Sequence, residues 1–105
     1  MDRPVVIIWT CKDREEAKQI VTLLLEKHLI ACASIIPKVD SFFRWEGKID
    51  HAEESKVFLK TLQRHFTAVR DLILANCSYQ VPEILQIDVS AGCTSYLDWI
   101  EKTVS

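Results

Sequence analysis

The sequence predicts one α+β domain over residues 1–105, with the element order β-α-β-β-α-β and a further helix at the end. Three observations predict this class. A β-branched and aromatic run opens the chain at residues 5–9, apolar residues then recur at helical spacing, and two long extended stretches meet at a turn signal near Gly47. The length fits a single domain, and the hydrophobic content of 49% is enough for a core.

The first strand and helix are predicted from residues 5–29. Residues 5–9 (VVIIW) form an unbroken apolar run, which is typical of a buried strand. Asp13 precedes Glu16 by three residues, the spacing of a capping box in which each side chain binds a free amide at a helix start. Ala17, Ile20 and Leu24 then follow at the 3-4 spacing of an amphipathic helix.

A long hairpin is predicted next. Residues 31–45 are extended in character, and Pro37 among them marks an edge, a bulge or a bend because proline donates no hydrogen bond to a sheet. The turn signal at residues 46–48 allows the chain to return antiparallel over residues 49–61. The first arm carries Phe42, Phe43 and Trp45. A monomer would leave these rings in water, so we expect the arm to serve self-association.

The last third predicts a helix, a strand and a helix. Val69 and Ile73 lie on one stripe of the second helix, and Pro82 prevents that helix from continuing. Residues 84–89 alternate as a strand, with Leu85, Ile87 and Val89 expected to point inward. This order is the ferredoxin-like split β-α-β arrangement, in which one antiparallel sheet carries both main helices on one face.

Composition and motifs exclude several function classes. The formal net charge of −2 gives no basic face for nucleic acid. The opening apolar run is too short for a signal peptide or a membrane span, so the expected compartment is the cytoplasm. The four cysteines lie too far apart for a zinc knuckle or a redox pair. Because the sequence shows no phosphate-binding loop and no nucleophile–base motif, we expect a protein that is not an enzyme.

The segment from Cys77 to Glu83 has two interpretations. It joins a helix to a strand, combines a thiol, the Tyr79 phenol and a carboxylate after a proline, and lies where a rigid scaffold commonly carries function. On that interpretation it lines a cleft together with Trp45 and Lys60. On the other it is an ordinary connector, Trp45 anchors an interface and Lys60 is solvated.

Five segments taken together resemble the CutA family, which is named for divalent-cation tolerance. They are residues 29–37 (LIACASIIP), 41–49 (SFFRWEGKI), 59–61 (LKT), 79–84 (YQVPEI) and 96–99 (YLDW). The resemblance runs from about residue 5 to residue 100. It implies a ferredoxin-like fold assembled into a tight homotrimer, similar in architecture to the PII signalling proteins, with the long hairpin extending across neighbouring subunits.

The resemblance also implies candidate metal ligands, since members of the family are associated with copper and other divalent metals. Metal-binding relatives use a cysteine at the end of the first strand, a glutamate after the hairpin and a histidine near the second helix end. Here those positions are Trp9, Glu54 and the pair Asn76–Cys77. Glu54 matches, and Cys77 is a softer donor than histidine that suits reduced copper. Cys77 and Glu54 are therefore the predicted metal residues.

Two function hypotheses result. The first is a trimeric, non-enzymatic CutA-type protein connected with tolerance of divalent metal ions, binding metal weakly. The second is a sensory or adaptor trimer, similar to the PII proteins, whose clefts between subunits bind a small molecule or a partner protein. That hypothesis places Trp45, Lys60, Tyr79 and Glu83 at the cleft, with Lys60 attracting a small anionic ligand.

Overall fold

The computed structural model describes residues 2–105. A 3₁₀ turn at Gln63–His65 precedes the second helix. The main elements are β1 (Pro4–Cys11), α1 (Arg14–Glu26), β2 (Cys32–Trp45), β3 (Lys48–Leu62), α2 (Phe66–Asn76), β4 (Ile84–Asp88) and α3 (Thr94–Val104). The four strands form a sheet in the order β2-β3-β1-β4, and every neighbouring pair is antiparallel. The predicted element order and the ferredoxin-like arrangement are confirmed.

The core lies between one face of the sheet and the helices α1 and α2. Alternate residues of β1, namely Val5, Ile7 and Trp9, are fully buried there. Because side chains alternate between the two faces of a strand, this register turns Val6 and Ile8 to the opposite face. The other members of this core include Ala17, Ile20 and Leu24 of α1, Val57 and Leu59 of β3, and Val69 and Ile73 of α2.

Helix α1 begins as its sequence predicts, but the predicted capping box is only half formed. The Asp13 carboxylate accepts a hydrogen bond from the Glu16 backbone N–H at 2.9 Å. The Glu16 side chain does not return to Asp13. Its Oε2 instead accepts the backbone N–H of Ser78 at 3.0 Å, and the residue is buried. Glu16 therefore joins the start of α1 to the segment that follows α2.

The β2–β3 hairpin is long and tightly turned. Glu46 and Gly47 have φ angles of 50° and 78°, which form the two-residue turn that matches the twist of hairpin strands. The register shifts between Ile36 and Val39, and Lys38 within this shift has a φ of 60°. This irregularity is a β-bulge next to Pro37 on the edge strand, so the predicted break at the proline is confirmed.

The prediction that Leu85 and Ile87 point inward is wrong for the helix-covered core. Ile84 pairs with Trp9, so it faces the core, whereas Leu85 pairs with Ile8 on the other side of the sheet. Leu85 and Ile87 remain 52% and 49% exposed. The alternating pattern defines two faces, but only the register with β1 decides which face the helices cover.

We call the sheet face turned away from α1 and α2 the open face. Helix α3 covers one end of it, where Ile100 and Val104 pack with Ala31 and Leu62 in a second small core. The rest of the open face carries apolar side chains that are only partly covered, including Ile36 at 48% exposure. Within residues 2–105, no helix is long and apolar enough to cross a membrane.

Candidate functional site

A groove runs between the hairpin and the segment that joins α2 to β4. We call residues 39–56 the hairpin arm, residues 77–83 the connector, and the space between them the hairpin groove. Its volume is about 830 Å³, which is within the range of sites for small organic ligands. Thr10 of β1 forms its floor, Trp45 and other side chains of the hairpin arm form one wall, and Tyr79 and Glu83 of the connector form the other.

The C-terminal end of the connector is fixed to the sheet through Glu83. Its Oε1 accepts hydrogen bonds from the Thr10 hydroxyl at 2.6 Å and from Lys56 Nζ at 3.1 Å. The Thr10 backbone N–H also donates to the Glu83 carbonyl at 3.2 Å. Partial burial by itself would raise the pKa of Glu83, but the Thr10 hydroxyl and the Lys56 ammonium outweigh it and lower the pKa below its ordinary value.

The N-terminal end of the connector is fixed to α1 through Glu16. Glu16 Oε2 accepts the Ser78 backbone N–H at 3.0 Å, and within the connector the Cys77 thiol donates to the Tyr79 carbonyl at 3.4 Å. Glu16 Oε1 is buried and has no hydrogen-bond partner within the described chain. The buried carboxylate and the Glu83 contacts together hold both ends of the connector, so this wall of the groove is preorganised.

The site places a phenol beside a buried carboxylate, and the buried Cys11 thiol of the core lies nearby. Burial, followed by the hydrogen bond from its hydroxyl to Glu54, raises the pKa of Tyr79. Glu54 is only 8% exposed. Burial and then the charge of Glu16 raise the pKa of the Cys11 thiol to about 12. The Tyr79 hydroxyl and the Cys11 thiol are therefore protonated at neutral pH and are poor nucleophiles.

The structure brings together three of the four residues that the sequence analysis placed in a cleft. Trp45, Tyr79 and Glu83 line the hairpin groove. Lys60 does not, because it pairs with Val6, four residues before Thr10 along β1, and its Nζ donates to the Ser34 hydroxyl at 3.1 Å. Within one chain the lysine of the groove is Lys56, and Lys60 would have to come from a neighbouring copy.

The predicted metal residues lie on different parts of the site. Glu54 lines the groove, whereas Cys77 does not and bonds to the connector backbone. Trp9, at the position of the family's strand cysteine, is fully buried. Across residues 2–105, no group of three or more His, Cys, Asp or Glu side chains is arranged to hold a metal ion. A single chain therefore does not fit a resident metal site.

The hairpin aromatics are exposed in the isolated chain. Phe42 is 73%, Phe43 37% and Trp45 49% exposed. Phe42 stacks on the His51 ring of the opposite strand at a centroid distance of 5.5 Å. Little of the rest of the chain therefore covers these rings. Their predicted role in self-association stays a prediction.

Sequence reasoning missed Thr10, Glu16 and Lys56. Glu16 has the signature of a helix cap, which hides its contact with the connector 62 residues later. Thr10 and Lys56 are directly opposite each other across β1 and β3. Their alternation with apolar residues indicates one face of a strand, but only the strand register places them beside Glu83.

Comparisons with known proteins agree with the sequence resemblance. The model of the family "CutA1 divalent ion tolerance protein" matches residues 5–103. The divalent-cation tolerance protein CutA of Archaeoglobus fulgidus is 45% identical over 95 residues, which cover 90% of this chain and 92% of that protein. The protein of the same name from Salmonella newport is 34% identical over 100 residues, covering 95% of this chain and 87% of that protein.

The fold also matches solved structures. The structure of the "periplasmic divalent cation tolerance protein CutA" from Archaeoglobus fulgidus superposes with a TM-score of 0.94 at 43% identity, covering 97% of this chain and 99% of that one. The family model and these relatives span nearly the whole length of the chain, including both walls of the groove. The chain therefore belongs to the CutA1 divalent ion tolerance protein family.

Proposed function

We propose that this chain forms a homotrimer that acts in tolerance of divalent metal ions, copper among them, without catalysing a reaction. The proposed compartment is the cytoplasm. The observation that carries the assembly is the uncovered apolar surface, made of the open face and the aromatic side chains of the hairpin arm. The similarity to relatives that are named divalent-cation tolerance proteins supports the biological role.

The open face has the composition of a protein interface. Ile36, Leu85 and Ile87 are each about half exposed on a sheet whose opposite face carries the main core. Monomeric proteins rarely leave contiguous apolar patches of this kind in water. The sheet also ends in two strands, β2 and β4, that each pair on one side only within the described residues. Unpaired strand edges beside an apolar face favour association with further copies.

The chemistry of the groove supports a role other than catalysis. The Tyr79 hydroxyl and the nearby Cys11 thiol have raised pKa values, so neither is activated as a nucleophile. Glu83, the carboxylate nearest the groove floor, is held by Thr10 and Lys56 with a lowered pKa, which makes it a weak general base. These groups are arranged to hold the connector in place.

The metal part of the proposal is limited to weak binding. The described residues contain no group of three side chains arranged to hold a metal ion. In this proposal, tolerance of metal ions therefore does not require a permanently bound metal. Because Cys77 lies outside the groove that Glu54 lines, we propose them as two separate weak metal contacts, since a thiolate suits reduced copper and a carboxylate suits harder divalent ions.

One purified sample tests the assembly and the metal part together. The native mass of protein prepared without an affinity tag should be about 36 kDa, three chains of 12.1 kDa each. A mass of one chain at micromolar concentration would contradict the trimer. Copper and zinc are then titrated into the reduced protein. Saturable binding that is weakened by Cys77→Ala and by Glu54→Gln, but not by the exposed control Cys93→Ala, supports the metal contact.

A second function is favoured by the groove itself. A cleft of about 830 Å³ with one preorganised wall is the size of a small-molecule site. We therefore keep, as an alternative, a PII-like sensory or adaptor trimer that binds a small ligand there. A thermal-shift screen of metabolites tests it, because a ligand that binds only the folded state raises the melting temperature. Flat melting curves for every class of metabolite would argue against this function.

A further inference from the structure

The hairpin groove has an excess of negative charge. Arg44 and Lys56 are its basic side chains, and its acidic side chains are Asp40, Asp50, Glu54 and Glu83. Four carboxylates against two cations leave a surplus of two negative charges in one cleft. A surplus of one sign in a cleft raises the local concentration of ligands of the opposite sign.

The basic side chains do not offset this surplus at the floor of the groove. Lys56 is held by Glu83, with 3.1 Å between Nζ and Oε1, so these two charges compensate each other. Glu54 is a different case, because it is only 8% exposed and forms no ion pair within the described residues. A carboxylate that is partly removed from water and has no cationic partner attracts a cation strongly.

The walls of the groove add a second attraction for cations. Phe42, Phe43, Trp45 and Tyr79 all line it. The face of an aromatic ring attracts an ammonium or guanidinium group within about 6 Å of its centre, and Trp is the most effective ring. The same rings give an apolar body a surface to pack on.

The size of the groove and its donor set favour an organic cation over a metal ion. A volume of about 830 Å³ far exceeds the space that a bare ion fills. The described residues also lack the three grouped ligands that a metal site needs. Lys60, the residue that motivated an anionic ligand, does not line the groove and donates to the Ser34 hydroxyl instead. Phosphates and carboxylates would meet the surplus acidic groups and be repelled.

We propose that the hairpin groove binds a small organic cation, with its ammonium or guanidinium group near Glu54 and its apolar part on the rings of the hairpin arm. This inference rests on the second proposed function, the groove as a ligand site, and specifies its ligand class. The occupant is a free small molecule, and a basic side chain from a second copy is the competing occupant that the experiment separates.

Three probes that share a phenyl ring and a two-carbon chain test the charge preference by calorimetry at pH 7.5: 2-phenylethylamine as the cation, 2-phenylethanol as the neutral form and phenylacetate as the anion. The amine should bind saturably, at least about tenfold more tightly than the alcohol, and phenylacetate should not bind. Raising the salt concentration should weaken the amine and leave the alcohol unchanged, because only the charged contact is screened.

Variants locate the binding. Trp45→Ala should weaken the amine about fivefold by removing the ring contact, and Glu54→Gln should weaken it about tenfold while keeping an acceptor for Tyr79. Asp50→Asn, at an exposed position, gives a second charge test that does not endanger folding. Glu101→Gln, an exposed carboxylate on α3 outside the groove, is the matched control and should have no effect.

Three outcomes would overturn the inference: equal affinity for the amine and for phenylacetate, no binding of the amine at millimolar concentration, or binding that is unchanged in both Trp45→Ala and Glu54→Gln. If a neighbouring copy fills the groove with its own basic side chain, Asp50→Asn will lower the native mass and the amine will not bind. The native mass and the metal titration are measured independently of amine binding. A trimer that binds the amine no better than phenylacetate therefore refutes this inference and leaves the first proposed function intact.

Discussion

Leu85→Asp should dissociate the proposed trimer while leaving the fold of each chain intact. Leu85 lies on β4, where it pairs with Ile8, and it is 52% exposed in the isolated chain. The substitution therefore changes the open face and removes no side chain from the core between the sheet and α1 and α2.

The magnitude follows from the exposed half of the side chain. Fully burying a leucine contributes about 1.5–3 kcal/mol, so covering the remaining half contributes about 1 kcal/mol per chain, or about 3 kcal/mol per trimer. Losing that amount, as in Leu85→Ala, weakens trimer formation by roughly a hundredfold. The aspartate adds the cost of burying three unpaired carboxylates, which is several kcal/mol each.

The assay is native mass by light scattering at about 10 µM, with circular dichroism to verify the fold. Wild type should give about 36 kDa and Leu85→Asp the single-chain mass of 12.1 kDa, with Leu85→Ala in between. Leu74→Asp is the matched control, because Leu74 is 48% exposed on α2, behind the opposite face of the sheet. An unchanged mass for Leu85→Asp, or an equal loss for Leu74→Asp, would refute the assignment of the open face as the interface.

Three further outcomes follow from the connector and the thiols. Glu16→Ala should lower the free energy of unfolding in urea by about 1.5–3 kcal/mol, because it leaves the Ser78 N–H without its charged acceptor; Glu16→Gln keeps an acceptor and should cost less than half as much, and equal losses would contradict this role. The pKa of Glu83 is lowered in the fold, so the contribution of its ionised form to folding stability is present above pH about 4.5 and is lost as the pH falls through the lower folded value. The difference in unfolding free energy between wild type and Glu83→Gln should therefore shrink in acid. A difference that grows there would contradict the contact. Iodoacetamide at pH 8 should label Cys93 first, since the Ser95 hydroxyl and then the backbone N–H groups of α3 lower the pKa of this exposed thiol. It should label Cys11 last, since burial raises the pKa of that thiol to about 12. Peptide mass mapping, with Cys93→Ser as the control, gives the order of labelling.

Local patterns were sufficient for the elements themselves. The capping residue Asp13, the bulge beside Pro37 and the turn at Gly47 each depend on neighbours in the chain, so their physical cause is visible in the sequence. The same holds for the apolar stripe of α1, whose 3.6-residue period is a property of a single helix.

The candidate site was only half visible for a physical reason. Two segments stand out in the sequence: the aromatic hairpin arm with Trp45, and the proline-containing connector with Tyr79 and Glu83. These two segments face each other across the groove. Lys60, which the sequence analysis placed at the cleft, lies outside the groove, whereas Lys56, four residues earlier on the same strand face, lines it. Nothing local distinguishes them.

By itself, then, the sequence determined the order of the elements, the family and the presence of an apolar arm that needs a cover, because periodicity, turn chemistry and motif order are local or linear properties. The tertiary structure decided what depends on register and distance: that Leu85 faces away from the helices, that Glu16 bonds to Ser78 instead of its own helix, and that the groove is acidic. Each of these requires two segments that are far apart in the chain to lie side by side. The strand register then decides which side chains share a sheet face, and so sets the charge and exposure of the site.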